Sequence, residues 1–236
     1  MYAWISSLSQ RFKTCACEEH ATETMQDVIG DLGFYYFSFA VRSATPFVKP
    51  MTKISGTYPL HWVTRYLDFH HSSKNELIAK HSKSSSLVIW DHRLLAGVDR
   101  TLSDEAVRHG LKYGCTLTLR DFNNSLLTFS VARPLKAISA SEAQELALKL
   151  RVLIEVFSEG IDVKETGETS AREPLLTERE RQILQWTAEG KSSAEVAIIL
   201  SICADTVNYH LNNVKNKLGV SNKTSAVAYG VALGLL

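Results

Sequence analysis

A chain of 236 residues with 45% hydrophobic content, 22% charged residues and a formal net charge of +1 can bury a sizeable core and is not a disordered tail. The length suits two domains, and with no run of about 18 apolar residues a membrane span is not expected. The opening Met1-Tyr2-Ala3-Trp4-Ile5-Ser6-Ser7-Leu8 lacks a basic start and a long apolar stretch, so no secretion signal is expected. Cys15, Cys17, Cys115 and Cys203 follow no disulfide-framework spacing and fit reduced thiols in a cytoplasm.

In chain order, Cys15-x-Cys17-Glu18-Glu19-His20 offers metal-ligand types on one short segment. A structural site needs four ligands and no partner pair follows, so the cysteines are read as thiols on an N-terminal helix and no metal is expected. Glu18 to Leu32 reads as a helix, and Phe34 to Arg42, aromatic and β-branched, as a strand. Thr52 to Gly56 reads as a second short strand, Leu60 to Phe69 as a helix, Ser86 to Trp90 as a strand and Ser103 to Tyr113 as a helix. Cys115 to Arg120 and Leu126 to Arg133 form a hairpin across Asp121-Phe122-Asn123-Asn124. Ser139 to Ser158 is a long helix, and the polar stretch 161–174, next to Gly160 and ending in Pro174, reads as a linker. The fold class is therefore α+β: an N-terminal α/β/α sandwich with an antiparallel sheet over 1–160, then an all-α domain over 175–236.

The last 62 residues carry the most specific signal. Thr177-x-x-Glu180 and Ser192-x-x-Glu195 have capping-box spacing, and Gly190 ends the first helix where a left-handed residue is cheapest. Ile183, Leu184 and Thr187 share one face, as do Val196, Ile199 and Leu200 on the second helix. On the third, Val207, Leu211, Val214 and Leu218 form one apolar stripe. Its opposite face shows Thr206, Asn208, Tyr209, Asn212, Asn213 and Asn216. A fourth, alanine-rich helix opens at Ser221-Asn222. Amides, hydroxyls and a phenol are groups that bond base edges and phosphates. From Thr206 to Thr224 the formal charges are Lys215, Lys217 and Lys223, with no acid, and Lys191 with Ser192 opens the second helix. Seven basic against six acidic side chains from Ala171 to Leu236 make the positive field local to one face. This is a helix-turn-helix with Lys191, Ser192, Thr206, Asn208, Tyr209, Asn212, Asn213, Lys215 and Lys217 as candidate DNA contacts.

The module resembles the LuxR-type helix-turn-helix through Thr177-x-Arg179-Glu180, Trp186-Thr187-Ala188-x-Gly190-Lys191-Ser192-Ser193, Glu195-Val196-Ala197, Thr206-Val207-Asn208-x-His210 and Lys217-Leu218. Two groups share it, response regulators and acyl-homoserine-lactone receptors. A receiver domain needs an acidic pair after its first strand, and the opening helix here offers none. The N-terminal domain instead resembles the lactone-binding domain through Phe34-Tyr35-Tyr36, Pro46-x-x-x-Pro50, Tyr58-Pro59-x-x-Trp62-x-x-x-Tyr66, Trp90, His109-Gly110-x-x-x-Gly114 and Leu127-x-Phe129-Ser130-x-Ala132-Arg133.

That resemblance implies roles. Trp62 donates its indole N–H to the lactone carbonyl, Tyr58 and Ser130 bond the acyl amide carbonyl, Tyr66 walls the acyl chain and Trp90 packs on the lactone ring. A mostly apolar pocket with a few convergent polar groups orients a small amphipathic ligand. The family carries an Asp-Pro where this chain has Asn75-Glu76, and that Asp accepts the ligand's amide N–H. An uncharged acceptor makes a bond about half as strong, so affinity falls by about tenfold or more. Ser103 stands where a tryptophan often lines the pocket, a change that enlarges the site or leaves it wetter. Cys203 stands where a serine caps the recognition helix, at a cost of about 1 kcal/mol. Two readings stay open: a normal lactone receptor in which Asn75 suffices, and the same DNA-binding regulator with altered or lost lactone recognition. No cofactor and no catalytic residue is expected, because the histidines His61, His70, His71, His81, His92 and His109 form no nucleophile or hydrolase motif. The implied partners are an inverted-repeat promoter site on double-stranded DNA and a second copy of the chain. Pairing runs through the Ser139–Ser158 helix and the Ala226–Leu233 helix, with RNA polymerase as a further contact.

Overall fold

The computed structural model describes residues 2–65, 87–97, 99–165 and 176–236. They separate into two compact units, the second comprising residues 176–236 with the short connections Ser43–Met51 and Asp121–Ser125. Among the described residues no helix is long and apolar enough to cross a membrane.

The first unit opens with α1 (Tyr2–Lys13) and α2 (Glu18–Asp31), followed by β1 (Tyr36–Arg42) and β2 (Thr52–Gly56). After a helical stretch at 60–65 come β3 (Leu87–Asp91), α3 (His92–Ala96) and α4 (Arg100–Arg108). Then β4 (Tyr113–Arg120), β5 (Leu126–Arg133) and α5 (Ala140–Glu165) complete it. All strand pairs are antiparallel in the order β2-β1-β5-β4-β3.

Period-2 alternation splits the sheet into two faces of different chemistry. Phe37, Phe39, Phe129, Val131, Cys115 and Leu117 point to one side and join Leu8, Phe12, Met25, Ile29, Leu150, Leu153 and Phe157 from α1, α2 and α5 in a single core. Phe37 stacks on Phe129 at 5.7 Å, and Phe157 meets Phe39 edge-on at 5.3 Å, both favourable aromatic geometries. Burial in this core pushes the Cys115 thiol up to about 12, which makes it a packing group. The other face is covered by Trp62 and Val63 from the 60–65 helix and by Leu102 and Ala106 from α4. The α/β/α sandwich with an antiparallel sheet is thus the observed architecture.

Several boundaries differ from the sequence reading. The cysteines Cys15 and Cys17 lie between α1 and α2, not on a helix, and the Cys15 thiol is buried beside the Arg11 carbonyl at 3.3 Å. The helix expected over Ser103–Tyr113 is α4, shifted toward the N-terminus. Asp99 caps it by accepting from the Leu102 N–H at 3.0 Å, and Gly110 at φ +81° ends the turn after it. Helix α5 runs to Glu165, into the stretch expected to be linker. Gly160 costs a helix only about 1 kcal/mol, and the next proline is Pro174. The helix expected over Leu60–Phe69 is described only at 60–65, and Ser86 lies outside the described residues.

The second unit is four helices: α6 (Glu178–Ala188), α7 (Ser193–Ile199), α8 (Ala204–Leu218) and α9 (Lys223–Ala232). Both capping boxes form, with Thr177 and Glu180 on α6 and Ser192 and Glu195 on α7. Gly190 at φ +82° follows α6, and Gly219 at φ +65° caps α8 in the left-handed region. Val207, Leu211, Val214 and Leu218 are all buried, against Ile183 and Val196 at one end of α8 and Leu184 and Ala226 at the other.

Candidate functional site

The covered face of the sheet carries the effector candidates. Register brings Ser38, Ser130 and Thr116 into one row across β1, β5 and β4. Thr116 Oγ1 lies 2.8 Å from Ser130 Oγ and accepts the Trp90 indole N–H at 2.9 Å. Trp90 and Ser130 are therefore tied through one hydroxyl. A Cβ at Gly114 would collide with the Trp90 ring and the Val131 carbonyl oxygen, so glycine there is what lets the indole lie flat against β4. Thr118 and Thr128 continue the hydroxyl pattern one row on, at 3.4 Å. Thr116 and Ser38 were missed in the sequence. The visible signal was the alternation Cys115-Thr116-Leu117-Thr118, which puts hydroxyls on one face and apolar groups on the other.

Above that row, Trp62 is 6% exposed and donates its indole N–H to the Leu102 carbonyl at 3.5 Å, the outer limit of a hydrogen bond. Tyr58 packs edge-on against Trp62 at 5.7 Å. Tyr58 precedes the helical stretch, so the two share a ring contact and not a common helix face. Tyr58, Trp62, Trp90 and Tyr36 line one apolar cluster with Ile54. Tyr66 and Asn75 lie outside the described residues. The Ser103 hydroxyl donates to the His92 carbonyl at 2.6 Å and the residue is 2% exposed. It therefore fastens α4 to α3.

On the second unit, α8 presents Asn208, Tyr209, Asn212 and Asn216 as exposed side chains, with Thr206, Asn213 and Lys215 half-buried beside them. Tyr209 is 63% exposed. Ser193 donates to Asn208 Oδ1 at 2.8 Å, which fixes α7 against the reading face of α8. Ser192 caps α7, and Lys191 sits half-buried at the turn before it. Lys217 is engaged differently: its Nζ lies 2.7 Å from Glu180, a carboxylate with a 4% exposed side chain. That ion pair joins α8 to α6.

Cys203 occupies the N-cap of α8 and makes no cap bond; its thiol sits 2.9 Å from Thr206 Oγ1. Cys203→Ser supplies an oxygen that accepts a free N–H of the first turn. A gain of about 1 kcal/mol is expected, read as a rise in denaturation midpoint at unchanged slope. An unchanged midpoint would show that the thiol already satisfies the turn.

The two faces define a class: a small-molecule-binding α/β/α unit joined to a helix-turn-helix with an amide-rich reading helix. The family models agree. The autoinducer binding domain matches residues 18–160, and the bacterial regulatory proteins, luxR family, match residues 174–229. The chain belongs to this family of quorum-sensing transcription regulators, and the receiver-domain alternative is excluded. It is 38% identical over 233 residues to the HTH-type quorum-sensing regulator RhlR of Pseudomonas aeruginosa, covering 99% of this chain and 96% of that one. It is 32% identical to the transcriptional activator protein PhzR of Pseudomonas fluorescens, over 100% of this chain and 97% of that one. The crystal structure of Escherichia coli SdiA superposes with a TM-score of 0.83 at 29% identity, over 99% and 98% of the two chains. A further SdiA structure, in complex with octanoyl-rac-glycerol, gives 0.82.

Proposed function

We propose that this protein is a cytoplasmic homodimer that binds an N-acyl-homoserine lactone on the hydroxyl-bearing face of its sheet and an inverted DNA repeat with paired α8 helices. The observation that carries the effector reading is the division of the sheet. One face is packed by apolar side chains from α1, α2 and α5, while the other sets Ser38, Ser130 and Thr116 with Trp90 beneath a cover holding Trp62. Trp62 can exchange its long bond to Leu102 for a shorter one to the lactone carbonyl. With Thr116 donating to Ser130, the Ser130 hydroxyl hydrogen is left for the acyl amide carbonyl. Tyr58 stands beside Trp62, and Tyr66 and Asn75 keep the roles the family resemblance gives them.

Thermal unfolding against a panel of lactones tests this. One acyl length is expected to raise Tm, since a ligand binding only the folded state stabilises it by mass action. Asn75→Asp is expected to tighten that ligand about tenfold by restoring a charged acceptor. No shift with any lactone in either protein would overturn the reading.

The Asn75 departure favours a second effector. A monoacylglycerol has no amide N–H and does not need a charged acceptor, and a relative, SdiA, has been captured with one. Octanoylglycerol belongs in the same panel; a shift with it alone, unimproved by Asn75→Asp, selects this reading.

DNA binding rests on the polar face of α8 with Lys191, Ser192 and Lys215 flanking it. Pairing of two copies through the outward faces of α5, where Leu148 is 58% exposed, and of α9, where Val231 is 57% exposed, sets two reading helices one DNA turn apart. Ala226 is buried within the unit and is not part of that face. Selection from random duplexes is expected to return a palindrome. Lys215→Ala is expected to weaken its binding and lower the salt slope by about 1. Recovery of unsymmetrical single sites would overturn the dimer. RNA polymerase is a further expected partner of the DNA-bound form.

A further inference from the structure

The outer surface of the cover over the sheet holds a cluster that neither face uses. His61 on the 60–65 helix, Glu105 on α4 and His109, the residue ending α4, bring three donor atoms within 4.8 Å of one another. His61 Nε2 is 2.7 Å from Glu105 Oε1 and 3.1 Å from His109 Nε2. An imidazole Nε2 carries either a hydrogen or a lone pair, so at most one of those two contacts is a full hydrogen bond. Three potential metal donor atoms thus lie together with at most one full hydrogen bond from His61 to its two neighbours.

We propose that His61, Glu105 and His109 bind a divalent transition metal, zinc by preference. Two imidazoles and a carboxylate are its ordinary ligands, with bonds of about 2.0–2.2 Å. A tetrahedron with such bonds has edges of roughly 3.3 Å. The His61–His109 separation is already close, and the His61–Glu105 pair needs to open by about half an ångström. Arg65 holds the second carboxylate oxygen of Glu105 at 2.6 Å and Thr101 at 3.2 Å, so the carboxylate is fixed for one-oxygen ligation. Its positive charge opposes the cation, as does that of Arg108 in the same depression, while Asp104 there offsets it. The His61 side chain is 58% exposed and that of Arg65 54%, so the ion enters from solvent and the repulsion acts through a high effective dielectric. His61 is next to Trp62, and Glu105 shares α4 with Leu102, so the metal staples together the two elements that cover the hydroxyl face. This holds whatever effector that face binds.

The test is zinc titration of the chelator-stripped full-length protein by calorimetry and by competition with a zinc-binding dye. Wild type is expected to take up one equivalent at this site and to melt higher with zinc. His109→Gln and His61→Gln, at surface positions that leave the fold intact, are expected to weaken that equivalent at least about tenfold. His20→Gln, an exposed histidine elsewhere, is expected to change nothing. Zinc uptake that is absent in wild type, or that persists unweakened in the His61→Gln/His109→Gln double variant, overturns the site.

Discussion

Arg133→Ala is expected to destabilise the first unit by about 3 kcal/mol and lower its Tm by roughly 10 °C. Arg133 ends β5 and is 5% exposed. Its guanidinium grips Glu142 of α5 with both terminal nitrogens, at 2.7 and 2.8 Å, and donates to the carbonyls of Lys136 at 2.7 Å and Ala137 at 3.2 Å. It also lies 4.8 Å above the Phe34 ring. The whole turn from sheet to α5 is organised around one fork. Alanine leaves Glu142 without its cation and two carbonyls without donors. Arg133→Lys keeps the charge and loses the fork, so it is expected to recover less than half of the loss.

The Arg133 hydrogen bonds hold the Glu142 carboxyl below the ordinary 4.5, against burial, with the guanidinium charge adding to them. A lowered folded value means that the stabilisation is complete above 4.5 and is lost as pH falls through the folded value. The gap between wild type and Arg133→Ala is therefore expected to narrow in acid. A gap that stays constant down to the acid transition would remove the ion pair from the explanation.

What the sequence made legible follows the range of the interactions involved. The capping boxes at Thr177–Glu180 and Ser192–Glu195 span four residues, and each could be read and was found as read. The apolar stripe of α8 needs only its own periodicity. Thr116 is different. Its place beside Ser130 and Trp90 depends on the register of β4 against both β5 and β3, which no local pattern encodes. The start of α4 failed for a nearer reason: Ser103 and Asp99 both suit an N-cap, and Asp99 took it, leaving the Ser103 hydroxyl for His92. His61 and His109 are 48 residues apart and gave no motif; only the packing of two helices brings them together.

Lys217 yields a sharper prediction, because its two readings, phosphate contact and anchor of Glu180, separate experimentally. Glu180 accepts the Thr177 backbone N–H at 2.7 Å and the Lys217 ammonium at 2.7 Å, so one carboxylate closes the α6 cap and anchors α8. Burial pushes the Glu180 pKa up, but the bonds from Lys217 and Thr177 outweigh that and hold it below the ordinary carboxylate value. Glu180→Ala is expected to cost the second unit about 2–3 kcal/mol, the cap plus a nearly buried ion partner. Since the folded value is lowered, this contribution is intact above 4.5 and is lost as pH falls through the folded value. A lysine that contacts phosphate releases a counterion on binding, and its removal lowers the salt slope by about 1 without touching stability. A lysine that anchors Glu180 does the reverse. Lys217→Ala is therefore expected to lower the melting temperature of the second unit and leave the salt slope at the wild-type value, in contrast to Lys215→Ala. A lower slope with unchanged melting would return Lys217 to the phosphate backbone and leave Glu180 held by its cap alone.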